Sequence, residues 1–239
     1  AEHELAGVGG NWLQLNQTVP AGRLRLEQQL GPQLARVPGI AGATVLGAGG
    51  LGDGQVFLAG LEYAIKKQYK VINLSLGTTK PQFFAPLHDM LDRAYQAGCI
   101  VVAAANNLPQ PSFPSVFSSS LVSVIKSQET DPLNFGFHYG QVIELTAPGV
   151  NVPTAWVGGG YRNLTGNSFA CPHISAIVAR LVEGYPNMTP FQVKSALYAI
   201  ARENTVRQPG RTAVTAAALM IGVALVTFAS IFAAGATPE

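Results

Sequence analysis

From about residue 44 to 203 the chain alternates short apolar runs with longer amphipathic ones, and each change of period predicts a change of element. GDGQVFLAGLEYAIKKQ opens on glycines and then places Val56, Leu58, Leu61, Ala64 and Ile65 at near-helical spacing, which predicts a helix over about 55–68. It leads into YKVINLSLG, a buried-type strand ending in glycine. PLHDMLDRAYQAG predicts a second helix with Leu87, Leu91 and Ala94 inward and Gly98 as its stop, and CIVVAAANN follows as another apolar strand. SSLVSVIK and QVIELTAPG predict two more strands, the second closed by Pro148 and Gly149. SFACPHISAIVARLVEGYP reads as a helix that tolerates Pro172 in its first turn. TPFQVKSALYAIA is a further helix, with Thr189 as N-cap and Pro190 at its first position. This order implies an α/β fold, a mainly parallel sheet with helices on both faces.

The flanks differ. Residues 1–43 include LRLEQQLGPQLARVPGIAG, where Leu24, Leu26, Leu30 and Leu34 fit one helical face only in part, so this segment carries a weak helix prediction and no chemistry. Residues 204–239 are a basic linker and then AVTAAALMIGVALVTFASIFAAG, uncharged from 213 to 235. At about 1.5 Å per residue that run spans roughly 35 Å, the length of a tilted transmembrane helix. Arg202, Arg207 and Arg211 precede it and only Glu239 follows, which places the preceding domain on the cytoplasmic side. The localisation this implies is membrane-associated, with a cytoplasmic chain as the alternative.

Composition narrows the chemistry. Apolar residues make up 48% of the 239 and charged ones 12%, so the chain is not disordered, and a net charge of +2 without a basic run gives nucleic acid no footprint. Cys99 and Cys171 have neither disulfide-framework nor metal-site spacing and read as buried thiols; no metal or cofactor is expected. The N-terminus shows no basic segment followed by an apolar one, so no signal peptide is read there.

In open parallel sheets reactive groups collect at strand carboxyl ends and at the starts of the following helices. Ser75, Asn107 and Ser168 fall at such places. Taken alone, Ser168 in GNSFACPHIS reads as a helix cap, because one serine at a helix start is common. His173 is not its base. Five residues along a helix turn two side chains about 140° apart and separate them by about 7.5 Å.

Three ordered segments change the reading of Ser168. VINLSLG (71–77), VVAAANN (101–107) and APGVNV with GGGYRNLTGNSFACPHISA (147–176) together resemble the subtilisin-like serine proteases, the subtilases, over about 45–203. The resemblance implies a substrate-binding strand at Ser75, Leu76 and Gly77, a second wall at Ala104 and Ala105, an oxyanion-stabilising Asn107 and a nucleophilic Ser168 that attacks a peptide carbonyl. The family usually has Gly-Thr-Ser where this chain has Gly166-Asn167-Ser168, and glycine where Asn106 stands. It also supplies an aspartate in an Asp-Ser-Gly or Asp-Thr-Gly segment and a histidine in His-Gly-Thr, and neither segment occurs here. The histidines are His3, His88, His138 and His173, and the aspartates Asp53, Asp89, Asp92 and Asp131. His88 and Asp92, four residues apart on a helix, read as a solvated pair.

The resemblance thus implies a serine endopeptidase that is incomplete or inactive as it stands, acting on extended peptide or protein substrates. The family's first strands and histidine helix are also missing, so the sheet is expected to lack part of its layer and to leave apolar surface for a partner chain. The alternatives are a non-catalytic peptide-binding protein that uses the VINLSLG edge, or a membrane permease-related protein. The latter rests on ARENTVRQPGRTAVTAAALMIGVALVTFASIFAAG and ARVPGIAGATV, which are similar to ABC transporter permeases of the MacB/FtsX type.

Overall fold

The computed structural model describes residues 12–14, 18–19, 40–42, 46–47, 53–127, 143–155 and 161–206. The chain divides into two units, Ala1–Lys194 and Ser195–Glu239. The helix expected around Leu24 to Leu34 and the apolar span 213–235 lie outside the described residues. Among the described residues no helix is long and apolar enough to cross a membrane.

Apolar runs with no polar alternation demand cover on both faces, and the first unit supplies it. Its sheet is parallel throughout, in the order β3 (Ile40–Gly42), β1 (Trp12–Gln14), β5 (Val71–Leu74), β6 (Ile100–Ala104), β7 (Val122–Ser127) and β8 (Leu145–Pro148). Every residue of β5 and β6 is buried. Alternation then sorts side chains between the faces. Ile72, Leu74, Val101 and Ala103 share a core with Phe57, Leu61 and Ala64 of α1 (Gly54–Lys66) and Leu87, Leu91 and Ala94 of α2 (Phe84–Gln96). On the other face α3 (Asn167–Gly184) packs across β5 to β8. There Asn73 accepts a hydrogen bond from Ser175 Oγ of α3 at 2.7 Å.

Caps and stops fix the helix ends. Asp53 Oδ1 accepts the Gln55 N–H at 2.8 Å ahead of α1. Gly98, at φ +76°, ends the turn after α2 in the left-handed region where glycine carries no penalty. Thr189 caps α4 (Pro190–Val206) as expected: its Oγ1 accepts from Gln192 N at 3.2 Å while Gln192 Oε1 accepts from Thr189 N at 2.9 Å, a reciprocal capping box. Lys194 of the same helix reaches Glu144 Oε1 at 2.7 Å and the Leu121 carbonyl at 2.9 Å, tying the start of α4 to the residues that lead into β7 and β8.

Two expectations need correction. β5 is not left at an edge, because β1 and β3 from the N-terminal segment extend the sheet beyond it with Trp12 opposite Val71 and Ile40 opposite Trp12. Three-residue strands carry too little periodicity to be read from sequence, yet parallel pairing needs only that their backbones align. Pro172 is also not in the first turn of α3: the helix starts at Asn167, so Pro172 sits in the second turn. Its missing N–H leaves the Ser168 carbonyl without a helical donor, and another segment supplies one. Two small strand pairs were not anticipated, β2 (Thr18–Val19) with β4 (Leu46–Gly47), parallel, and β9 (Val152–Ala155) with β10 (Tyr161–Leu164), antiparallel.

Candidate active site

The carboxyl ends of β5 and β6 and the start of α3 meet at one cavity of about 320 Å³, lined by Ser75, Leu76, Gly77, Ala104, Ala105, Asn107 and Ser168 among others. All seven residues assigned to the site from sequence therefore border one space, 93 positions apart in the chain at the extreme contact. The lining that sequence reasoning missed is polar: Thr78, Thr79, Lys80, Asn106 and Ser112.

Ser168 is not the cap of α3. Gly166 occupies the N-cap and makes no side-chain cap bond, and Ser168 is the second helical residue. Its Oγ donates to the Ser75 carbonyl at 3.0 Å, and Ser75 Oγ donates in return to the Ser168 carbonyl at 2.9 Å, the acceptor that Pro172 leaves open. Ser75 is itself aimed by the buried Asn73, whose Nδ2 donates to Ser75 Oγ at 2.9 Å. The two segments are thus clasped by a reciprocal pair backed by a satisfied polar chain.

Asn107 turns its Oδ1 toward the Asn167 backbone N–H at 2.7 Å. That bond settles the amide orientation and leaves Nδ2 as the free end; among the described residues no acceptor meets it. The Ser168 N–H, one of the first-turn donors that a helix cannot pair internally, likewise meets no acceptor among the described residues. Next to the cavity, Thr78 and Phe113 form an antiparallel bridge with both N···O distances 2.8 Å. The backbones of Leu76 and Gly77, between the end of β5 and that bridge, hydrogen-bond to no group among the described residues, so they offer an open backbone edge.

No histidine or carboxylate meets Ser168 Oγ among the described residues. His173 Nδ1 lies 2.9 Å from the Phe169 carbonyl on its own helix, in keeping with the 140° turn between it and Ser168. His88 pairs with Asp92 at 3.5 Å with both side chains nearly half exposed, and the ring stacks on Phe84 and meets the edge of Phe117. His3, His138 and Asp131 lie outside the described residues. Cys171 is fully buried, and burial pushes its thiol up to about 12, which keeps it protonated and unreactive. Among the described residues no group of three His, Cys, Asp or Glu side chains gathers to hold a metal.

An α/β fold with a parallel sheet, and a helix-borne serine beside an asparagine at strand carboxyl ends, defines a class of hydrolase-like sites. The Subtilase family model, Peptidase S8, matches residues 21–216. The thermostable alkaline protease of Halalkalibacterium halodurans is 32% identical over 155 residues, 64% of this chain and 42% of that protein. Subtilisin Savinase of Lederbergia lenta is 32% identical over 170 residues, 70% of this chain and 60% of that protein. The crystal structure of a cold adapted subtilisin-like serine proteinase superposes with a TM-score of 0.59 at 26% identity, over 68% of this chain and 60% of that one. The chain belongs to the subtilase family. It spans about 42% to 60% of the length of these relatives. The family match begins ahead of residue 45, where the sequence resemblance started, and takes in the segment that carries β3.

Proposed function

We propose that these 239 residues form the substrate-strand and nucleophile portion of a subtilisin-like serine endopeptidase, and that as they stand they hold an extended peptide but cleave it very slowly. One observation carries the reading: Ser168, Asn107 and the open edge at Leu76 and Gly77 border the same cavity. A peptide would pair as an added strand with that edge, which brings its carbonyl carbon toward Ser168 Oγ and the carbonyl oxygen toward the Asn107 Nδ2–H and the Ser168 N–H. The missing part is activation. The Ser168 hydroxyl donates to the Ser75 carbonyl, an acceptor that cannot carry its proton away.

The unactivated serine also favours a second reading, a peptide-binding protein that makes no cut. Both readings share a first test. A fluorescent extended peptide is expected to bind saturably, and N-methylation of the backbone N–H groups that pair with the edge is expected to weaken it about tenfold, the worth of one or two net hydrogen bonds. Absence of saturable binding, or indifference to N-methylation, contradicts both readings.

Residues 213–235 are proposed to anchor the chain in a membrane, because they form an uncharged apolar run that as a helix would span roughly 35 Å, with Arg202, Arg207 and Arg211 ahead of it. Retention in the membrane pellet after carbonate washing is the expected result; recovery in the soluble fraction without detergent contradicts it.

A further inference from the structure

We propose that Asn167 is a positioning residue that aims the Asn107 carboxamide at the oxyanion site, an inference that rests on the endopeptidase-site reading above. Asn167 is 1% exposed and spends its polar groups on two other segments, residues 105–107 and β7. Its backbone N–H holds Asn107 Oδ1 at 2.7 Å. Its side-chain Nδ2 donates to the carbonyls of Ala105 at 3.1 Å and Asn106 at 2.8 Å, and its Oδ1 accepts the Lys126 N–H at 3.0 Å. One buried carboxamide therefore fixes the backbone that carries Asn107, the adjacent strand β7 and the start of α3 in a single geometry.

The chemistry explains why asparagine stands here. Two N–H donors and a carbonyl acceptor are needed at the end of a planar group long enough to reach two carbonyls on one side and an N–H on the other. A threonine hydroxyl has one donor and a shorter reach. The second departure from the family pattern joins the same unit: Asn106 offers its carbonyl to Asn167 while its own Oδ1 accepts the Leu108 N–H at 3.1 Å, turning the chain just past Asn107. Asn106 and Asn167 are thus two halves of one clamp. An amide held at both ends of its supporting loop loses little freedom when charge develops near it, which is what a preorganised oxyanion donor requires.

The test uses equilibrium binding, so it does not depend on a catalytic base. A peptide aldehyde adds Ser168 Oγ to its carbonyl carbon: the Oγ–C bond forms, the C=O bond becomes a single bond, and the hydroxyl proton moves to the former carbonyl oxygen. The matching peptide alcohol makes the strand contacts without that addition. The ratio of the two affinities therefore reports the oxyanion site and cancels the strand. Asn167→Ala is expected to lower the ratio about tenfold with the alcohol affinity unchanged, less than the hundredfold to thousandfold that loss of the donor itself brings in subtilisin. In an Asn107→Ala background the same substitution is expected to change the ratio by less than about twofold, because a residue acting through Asn107 has nothing left to aim. Equal weakening of both ligands, or the same fall in the ratio without Asn107, overturns the proposal. If circular dichroism shows Asn167→Ala unfolded, Asn167→Ser decides, since its hydroxyl reaches at most one of the two carbonyls. A ratio near one in the unmodified protein removes the reading of the site itself, and the inference with it.

Discussion

Hydrolysis of a peptide anilide by these residues is expected to run about a millionfold slower than by a complete subtilisin, the loss that removal of the base brings in that enzyme. On the transition-state scale that is about 8 kcal/mol. The reason lies in where the Ser168 proton points. It is donated to the Ser75 carbonyl, and the two described histidines are spent elsewhere, His173 on the Phe169 carbonyl and His88 on Asp92. On the proposed reading, positioning and the oxyanion donors remain, worth about a thousandfold to ten-thousandfold over water in subtilisin. The usual hierarchy of residues should then invert. Ser168→Ala is expected to change the residual rate by less than about tenfold, because a nucleophile without a base adds little, whereas Asn107→Ala removes most of it. Measurement is by product release over days with purified protein. A fast rate abolished by Ser168→Ala contradicts the account.

Gly149→Val is expected to destabilise the fold by roughly 3 kcal/mol and to lower Tm by about 6–12 °C, measured by thermal and urea unfolding. Gly149 follows β8, and a Cβ placed there meets Lys126 Cβ at 2.5 Å, the Gly166 carbonyl at 2.9 Å and Ala170 Cβ at 3.1 Å. Two of these belong to the start of α3 and its cap, and the third to the strand that Asn167 holds. The Gly149 carbonyl also accepts the Gly166 N–H at 2.9 Å, so the segment cannot simply move aside. A branched side chain would push α3, and Ser168 with it, out of the cavity. Peptide binding should fall together with stability. A variant with unchanged Tm would show that the close approach of these segments is not what seats the helix.

The pattern of the chain carried the mainly parallel sheet, its four central strands and four helices, because apolar runs covered on both faces and capped amphipathic helices leave a local record. Thr189 and Pro190 announced α4, and Gly98 announced the end of α2. β1 and β3 left no such record: three residues each, they owe their place to pairing with strands far along the chain. The hairpin of β9 and β10 was silent for a related reason, since Tyr161, Arg162 and Asn163 are exposed and show no apolar alternation.

The site was legible as a set of motifs and not as a geometry. Ser75, Asn107 and Ser168 could be placed at strand ends and a helix start, and the family resemblance tied them together. That Pro172 frees the Ser168 carbonyl for Ser75 Oγ, or that Asn73 and Ser175 stand behind Ser75, depends on contacts about 100 residues apart in sequence. Asn167 was visible only as a departure from Gly-Thr-Ser. Its pairing with the departure at Asn106 was the available signal, and the hydrogen bonds to the Ala105 and Asn106 carbonyls give it physical content.

The central proposal is that a subtilase substrate edge, oxyanion donor and serine stand assembled here with no base beside Ser168 among the described residues. Intact-mass kinetics with a fluorophosphonate, run beside a complete subtilisin, test it most directly. The account predicts no adduct on Ser168 over the time in which the subtilisin is fully labelled. An adduct that forms on Ser168 at a comparable rate and disappears in Ser168→Ala would contradict it, because the chain would then have found a base.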